Sequence, residues 1–383
     1  MSQSPIIEKL HFDEVIVPCH SNAINSQGLD KPLHRQSVNG KKAWGVQFDQ
    51  LPKLILTITL SDGTVGVGEF YRDHNWEVIK GMAKLLIGTP VDSISLQSLP
   101  IGKVREYYGY ECALYDTYGK YKSMRVVDLI GGPIRDKVKI SAWSSHRTIK
   151  EMGAIAKTYH EMGYDTIKMK ADLEDPVVEW CQAIKANAPG MRVTFDPNMR
   201  WKNSSYVRER LRGLEQVGNV LLLEDPLPHW MYHEFAELRK FSSIPIVLHV
   251  SPPYTAEGQT IHDAINAIKH GSVDGFNFNA GIHSFQQLDA VATAAGVNCW
   301  HGSEIDLGLL EAMFIHNASA ATSCIWPSDI FGTLLRSHDL LKKPLRLEPP
   351  YAYLPDGPGL GVELDRDAVE KHKIGEWTLI HTR

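Results

Sequence analysis

Two lysines one residue apart, Lys168 and Lys170 in the stretch YDTIKMKAD, are the first residues of this chain whose spacing could do chemistry. Alternate residues of a strand face the same way, so both ammonium groups share one environment and each disfavours the other's charge. A lysine whose pKa is pushed down in this way can act as a base. Carboxylates follow at the ends of the next two strand-like runs, Asp196 in VTFDPNMRW and Glu224 in NVLLLEDPLP. One acid after a strand usually caps the next helix; two in succession, facing two lysines, are harder to assign to capping. Grouped carboxylates suit Mg²⁺, which takes oxygen ligands and leaves positions for water and substrate. Such an ion would also lower the pKa of the lysines and stabilise negative charge developing on a carboxylate substrate.

These residues need a scaffold that brings strand ends together. From about Val138 apolar runs alternate with helix-compatible segments such as TIKEMGAIAKTYHEM and SFQQLDAVATAAG. The runs are VKISAW, DTIKMK, RVTFD, NVLLLE, IPIVLH, DGFNFN, VNCWH and TSCIW. Eight strands alternating with helices predict a (β/α)8-type barrel, in which the C-terminal strand ends converge on one site. No GxGxxG follows any of them, which weighs against a dinucleotide fold. Upstream, LPKLILTITLSDGTVGVGEFY is read as two strands joined at Ser61-Asp62-Gly63, and a helix is predicted through YECALYDTYGKYKSM. After Leu345, RLEPPYAYLPDGPGLGVELDRD is rich in Pro and Gly and reads as a return to the first domain. The expected organisation is an α+β capping domain over residues 1–133, a barrel over 134–345 and a returning segment over 346–383.

The composition narrows the function classes. With 383 residues, of which 43% are hydrophobic, the chain can bury a sizeable core. A net charge of -5 with both signs interspersed gives no basic stripe for nucleic acid and no lysine-rich tail for a membrane surface. Cys19, Cys112, Cys181, Cys299 and Cys324 are widely spaced and form no CxxC, so they read as thiols in a reducing cytoplasm. The N-terminal stretch MSQSPIIEKLHFDEV has no apolar h-region. A cytoplasmic protein acting on a small carboxylate is the expectation.

In order and spacing, LSDGTVGVGEFY, ALYDTYGKYKSMRVVDLIGGPIRDKVKISAW, IKMK, FDPNMRW, LLLEDPL and PGLGVEL resemble landmarks of the enolase superfamily, in its mandelate racemase and muconate lactonizing branch. The resemblance covers nearly the whole chain and implies a modified TIM-type (β/α)7β barrel under an α+β cap built from the N-terminal part and the C-terminal tail. It implies abstraction of the proton α to a carboxylate, an enediolate held by Mg²⁺, and a symmetric homo-oligomer. Lys170 maps onto the base, with Lys168 as its electrostatic neighbour or a contact to the substrate carboxylate. Asp196 and Glu224 map onto the first two metal ligands, and Asn198 sits beside the metal.

Departures from the family pattern qualify the chemistry. The third acidic ligand maps onto Val250 in IPIVLHVSPP, and His249, one residue earlier, is expected to point away unless the strand end bends it in as a ligand or substrate contact. Asn279 stands where the family places a lysine or aspartate, and it cannot titrate, which disfavours two opposed bases. His301 in VNCWHGSEIDLG falls near the family's histidine, with Glu304 or Asp306 as support. Asp329, with Trp326, is expected to border the substrate, while Cys19 and His20 fall in the cap loop that sets substrate choice. The leading expectation is a hydro-lyase dehydrating a sugar acid, with Lys170 or His301 as base. The alternatives are a racemase, epimerase or cycloisomerase, or a binding barrel whose metal site has decayed.

Overall fold

The computed structural model describes residues 4–27, 29, 51–72, 74–250 and 259–382. The cap is a four-stranded sheet in the order β14-β1-β2-β3. Its strands are β1 (Ile7–Val15), β2 (Lys53–Leu60), β3 (Val65–Phe70) and β14 (Lys373–Ile380). The predicted hairpin joins β2 to β3: Asp62 Oδ1 accepts from the Thr64 N–H at 2.9 Å, and Gly63 adopts a φ of 89° that its missing Cβ permits. Helices α1 (Trp76–Leu86) and α2 (Tyr107–Lys122) complete the cap, α2 following the predicted helical stretch. The alternating glycines of VGVGEF set how closely α2 lies on β3. A Cβ on Gly66 would stand 2.6 Å from the Thr117 Cα, and one on Gly68 would stand 2.5 Å from the Ala113 nitrogen. A short helix, α3 (Val126–Leu129), leads towards the barrel.

The barrel sheet is parallel and contains β5 (Ala142–Ser144), β6 (Thr166–Lys170), β7 (Arg192–Asp196), β8 (Val220–Glu224), β9 (Ile246–Val250), β10 (Gly275–Phe278) and β11 (Asn298–His301), neighbours in that order. Helices α4 (Ile149–Glu161), α5 (Val177–Asn187), α6 (Ser204–Val217), α7 (Tyr232–Phe241), α8 (Thr260–Lys269), α9 (Ile282–Ala295) and α10 (Gly308–Ala320) follow the successive strands. Local signals place their ends: Thr148 caps α4 by accepting from the Glu151 N–H, Asn203 caps α6, and Gly218 and Gly296 end α6 and α9 in the left-handed region. Two of the eight expected strands differ from their predicted form. VKISAW divides, and its first half becomes β4 (Lys137–Lys139), paired with β13 (Tyr351–Tyr353), which in turn pairs with β12 (Leu347–Glu348). TSCIW forms no strand; the chain there closes the barrel through the bridges Cys299↔Cys324 and Ile140↔Ser328. Pro327, which has no N–H to give to a ladder, directly follows this segment. The architecture is therefore a (β/α)7β barrel. Two further short helices, α11 (Gly332–Leu335) and α12 (Arg366–His372), follow. No helix among the described residues is long and apolar enough to cross a membrane.

Cap and barrel are joined by buried charge. The Glu69 carboxylate, at the end of β3, accepts from the N–H groups of Leu307 (2.9 Å) and Leu310 (3.1 Å) at the start of α10. Glu111 does the same at the start of α9, accepting from Ile282 (2.8 Å) and His283 (3.0 Å). An acid at a helix N-terminus satisfies open N–H groups and complements the helix dipole. Lys53, buried on β2, lies 2.9 Å from Glu69 and 2.6 Å from Asp306, so one ammonium serves an acid of each domain. The cap loop carrying His20 is docked as well: the His20 N–H donates to Leu335 C=O at 2.7 Å, and Ser26 N–H to His146 C=O at 3.0 Å.

Two expectations follow. Lys53→Met leaves Glu69 and Asp306 buried without their shared cation and should cost about 3 kcal/mol in denaturant unfolding. Glu311, buried in α10 with the Gly332 N–H on its Oε1, is pushed by burial up to about 8. A carboxyl raised in the folded state contributes stability that is present at low pH and lost as pH rises through the folded value. The protein should therefore lose Tm from about pH 5 to about pH 8 relative to Glu311→Gln and no further above that, measured by thermal unfolding across the range.

Candidate active site

Alternation along the strands sorts the barrel interior into layers. The lower layer is mostly apolar: Leu222, Val247 and Trp300 pack together, with Trp326 against them. The layer above it is charged. From β6, the Lys168 Nζ lies 2.7 Å from Asp329 Oδ2, 2.8 Å from Glu224 Oε2 and 3.8 Å from Asp196 Oδ2, and 5.4 Å from the Trp300 ring centroid. The Lys170 Nζ donates to Asp196 Oδ2. Asn198 steadies the same carboxylate, its N–H on Oδ1 (2.9 Å) and its amide on Oδ2 (3.2 Å). Asn277 on β10 donates to Glu224 Oε1 at 2.7 Å; the sequence reading missed it, although its position two residues before Asn279 puts both on one strand face.

Burial and neighbours drive the two lysines apart. Burial depresses Lys170, and the Lys168 charge depresses it further against the pull of Asp196, so its pKa falls below that of a free lysine. Lys168 is equally buried, but Asp329, Glu224 and Asp196 together hold it above that value. Asp196 stays well below the usual carboxylate range because Lys170 and Lys168 outweigh its burial. Burial and the Asp196 charge push Glu224 up to about 8. A depressed lysine beside a raised carboxyl is the combination that proton transfer near neutral pH requires.

The structure reverses the expectation for β9. Val250 lies in the packed layer outside the barrel, and His249 faces inward, its Nδ1 3.3 Å from Glu224 Oε1. Alternation from interior Val247 accounts for this, and Asp225, in the left-handed region with φ 44°, accepts the His249 N–H on Oδ1 at 2.8 Å. Asp196, Glu224 and His249 each offer one ligand atom, all within 4.8 Å of one another. Two buried carboxylates within a few ångströms of each other, joined by an imidazole, form a donor set that fits a divalent cation. These three residues would hold it, and it would supply positive charge to an anionic substrate. The imidazole shifts the set towards ions softer than Mg²⁺. A second cluster, His146, Asp172 and Asp175, is filled differently, because the Arg200 Nε stands 2.5 Å from Asp172 Oδ1 and occupies the place of a cation.

His301 corrects a second expectation. Trp300 takes the inward direction on β11, so His301 faces outward, sandwiched between the rings of Phe285 (4.4 Å) and Phe314 (4.1 Å). Its Nδ1 donates to Gly302 C=O at 2.8 Å, its Nε2 is 3.2 Å from the Asn317 amide, and burial lowers its pKa to about 4. A neutral ring with both nitrogens engaged serves packing, not proton transfer. Asp329 joins the cluster through Lys168. Glu304 lies at the seam with the cap, its carboxylate 3.7 Å from Arg72 Nε and in contact with Arg105. Asn279 meets the cap through the Tyr71 hydroxyl at 2.6 Å. His20 is exposed on its loop. Trp326 lies below the charged layer, 6.0 Å from Trp300.

The chain matches the family described as Enolase C-terminal domain-like over residues 151–368. It belongs to that family. Within the enolase superfamily it falls in the mandelate racemase and muconate lactonizing branch. Muconate cycloisomerase 1 of Rhodococcus opacus is 28% identical over 373 residues, covering 89% of this chain and 95% of that protein. A probable glucarate dehydratase of Streptomyces coelicolor is 27% identical over 423 residues, covering 96% and 91%. Among solved structures, N-succinyl Arg/Lys racemase from Bacillus cereus superposes with a TM-score of 0.79 at 20% identity, over 98% of this chain and all of the other. 2-Chloromuconate cycloisomerase from Rhodococcus opacus gives 0.78 at 21% identity, over 98% and 100%. These two structures bear on the fold alone. The relatives are enzymes of isomerase and dehydratase type, and members of the superfamily bind Mg²⁺.

For a superfamily member with an imidazole among its donors, calorimetric titration of metal-stripped protein should show Mn²⁺ bound more tightly than Mg²⁺. Asp196→Ala should abolish binding of both. His249→Asp should raise the affinity for Mg²⁺ by about tenfold; unchanged Mg²⁺ affinity in that variant would remove His249 from the donor set.

Proposed function

We propose that this protein removes the proton α to a carboxylate with Lys170 as its only base and expels a β-hydroxyl from the same face, dehydrating a hydroxy acid of the sugar-acid class. The observation that carries this reading is that both lysines of the charged layer stand on one side of the barrel. Both lysines project from β6, whereas β10 and β11 offer Asn277 and Trp300 to the interior, neither of which exchanges protons near neutral pH. A racemase working through two opposed bases has no second lysine or histidine on that wall among the described residues. Outward-facing His301 cannot serve as the acid of an elimination across both faces.

The proton accounting then runs through one lysine. Neutral Lys170 Nζ takes the α-proton, and the C–H electron pair becomes the new C=C bond as the C–O bond to the β-hydroxyl breaks. Lys170, now an ammonium, returns its proton to the departing oxygen, and water leaves; the enol product tautomerises to a 2-keto-3-deoxy acid. Lys168, kept charged by three acids, stays a cation throughout and attracts the substrate carboxylate. A bound divalent cation supplies further positive charge at that carboxylate.

A second reading has its own observation. Ile24, Trp143, Ile305, Phe331 and Leu335 form an apolar cluster near the C-terminal ends of the strands. A wall of that kind suits a flat, unsaturated acid better than a polyol and favours cycloisomerisation, a one-faced proton transfer without loss of water. The 28% identical relative is named a muconate cycloisomerase.

The test is a panel of sugar acids and unsaturated diacids incubated with protein and Mn²⁺ in D₂O. Proton NMR reads exchange or product, and semicarbazide detects a keto acid. Dehydration yields a semicarbazide-reactive product; cycloisomerisation yields none. Lys170→Ala should lower turnover by about 10²–10⁴-fold with an unchanged circular dichroism spectrum. Because the base acts when unprotonated, the rate should rise with pH through a value below that of a free lysine and then level off. Full activity in Lys170→Ala would reject the assignment.

A further inference from the structure

The wall facing the lysines carries a hydrogen-bonding device contributed by both domains. In an eight-position barrel β10 lies four places from β6, and so across the interior from it. Asn279 stands just beyond the end of β10 on the same face as Asn277, whose amide reaches the Glu224 carboxylate. Tyr71, immediately after β3 of the cap, donates its hydroxyl to Asn279 Oδ1 at 2.6 Å. Both residues are buried, at 3% and 2% exposure.

Tyr71 is held firmly. Its ring meets Tyr108 edge-on at 5.8 Å, and the Arg105 guanidinium and Lys53 ammonium lie 5.6 Å and 5.9 Å from its centroid. Burial and the nearby Asp306 and Glu304 keep the phenol protonated, so it remains a donor. A donor on Oδ1 fixes which way the amide is turned, and the end left for another partner is the NH₂, which can only donate.

We propose that Asn279, oriented by Tyr71, is the substrate-anchoring donor of the wall opposite the lysines and selects acids with an oxygen at the end remote from the reacting carboxylate. This rests on the reading that the substrate lies between β6 and β10. An acid with a hydroxyl or second carboxylate there accepts from the amide NH₂. One ending in a methyl group leaves that buried donor unpaired, and a site built around a hydrogen bond discriminates strongly against such an analogue. Tyr71 is a positioning residue that acts through Asn279.

The experiment measures binding, not turnover. Lys170→Ala protein loaded with Mn²⁺ is titrated calorimetrically with muconate and with sorbate, its counterpart ending in a methyl group, and likewise with glucarate and hexanoate. The oxygen-bearing acid of at least one pair should bind about tenfold more tightly or better. Adding Asn279→Ala or Tyr71→Phe should reduce that preference to about threefold or less, mainly by weakening the oxygen-bearing acid. Asn279→Asp keeps an acceptor for Tyr71 and should retain the parent Tm, yet it should reject the dicarboxylates. If Tyr71 merely ties cap to barrel, Tyr71→Phe lowers Tm and weakens both members of a pair equally, and the proposal fails. It also fails if none of the four acids binds, or if the preference survives Asn279→Ala. A preserved preference in Lys170→Ala alongside a parent protein that exchanges no α-proton would sink Lys170 as base and leave this anchor standing.

Discussion

Five ionisable side chains share the buried mouth of one barrel, and most of the structure follows from keeping them compensated. An isolated charge buried in this way is untenable, and a pair survives only with good geometry and further hydrogen bonds. The arrangement meets that demand with three acids for two lysines, Asp329 and Glu224 on Lys168 and Asp196 on Lys170. Amides occupy further carboxylate oxygens, from Asn198 on one side and Asn277 on the other. The acids outnumber the lysines by one, which leaves the layer receptive to a cation where Asp196, Glu224 and His249 converge.

The same economy governs the joint between the domains. Glu69 and Glu111 are cap residues, yet their oxygens close the N-termini of two barrel helices. The glycines that precede Glu69 let α2 lie against β3, and α2 carries Glu111. One short motif therefore fixes both the internal packing of the cap and its attachment to the barrel. Tyr71, two residues beyond Glu69, is brought over the site by that attachment.

Much of this was legible in the sequence because period and turn chemistry act locally. The hairpin at Ser61-Asp62-Gly63, the helix following Tyr107 and the strands ending in Lys170, Asp196 and Glu224 depend on neighbours along the chain. The misplaced residues depend on neighbours across it. His249 faces inward because it lies two residues along one regular strand from Val247, which packs inside the barrel with Leu222 and Trp300, and counting faces from an assumed acid at Val250 reversed the result. His301 gave way to Trp300, a larger ring better matched to the apolar interior beneath Lys168. The split of VKISAW into β4 and β5 required a partner, β13, more than two hundred residues away. Nothing in the chain near Tyr71 announces that its hydroxyl meets Asn279.

The pairing of β14 with β1 has a consequence for the order of assembly. The cap sheet draws one strand from near the start of the sequence and its neighbour from near the end, with all the barrel strands in between. On the ribosome, β1 can pair with β2 as soon as both emerge, but its other edge stays open until Lys373–Ile380 has been made. The barrel strands are thus all synthesised beneath a lid still missing its outermost strand, and Lys373–Ile380, made after them, completes the first sheet begun.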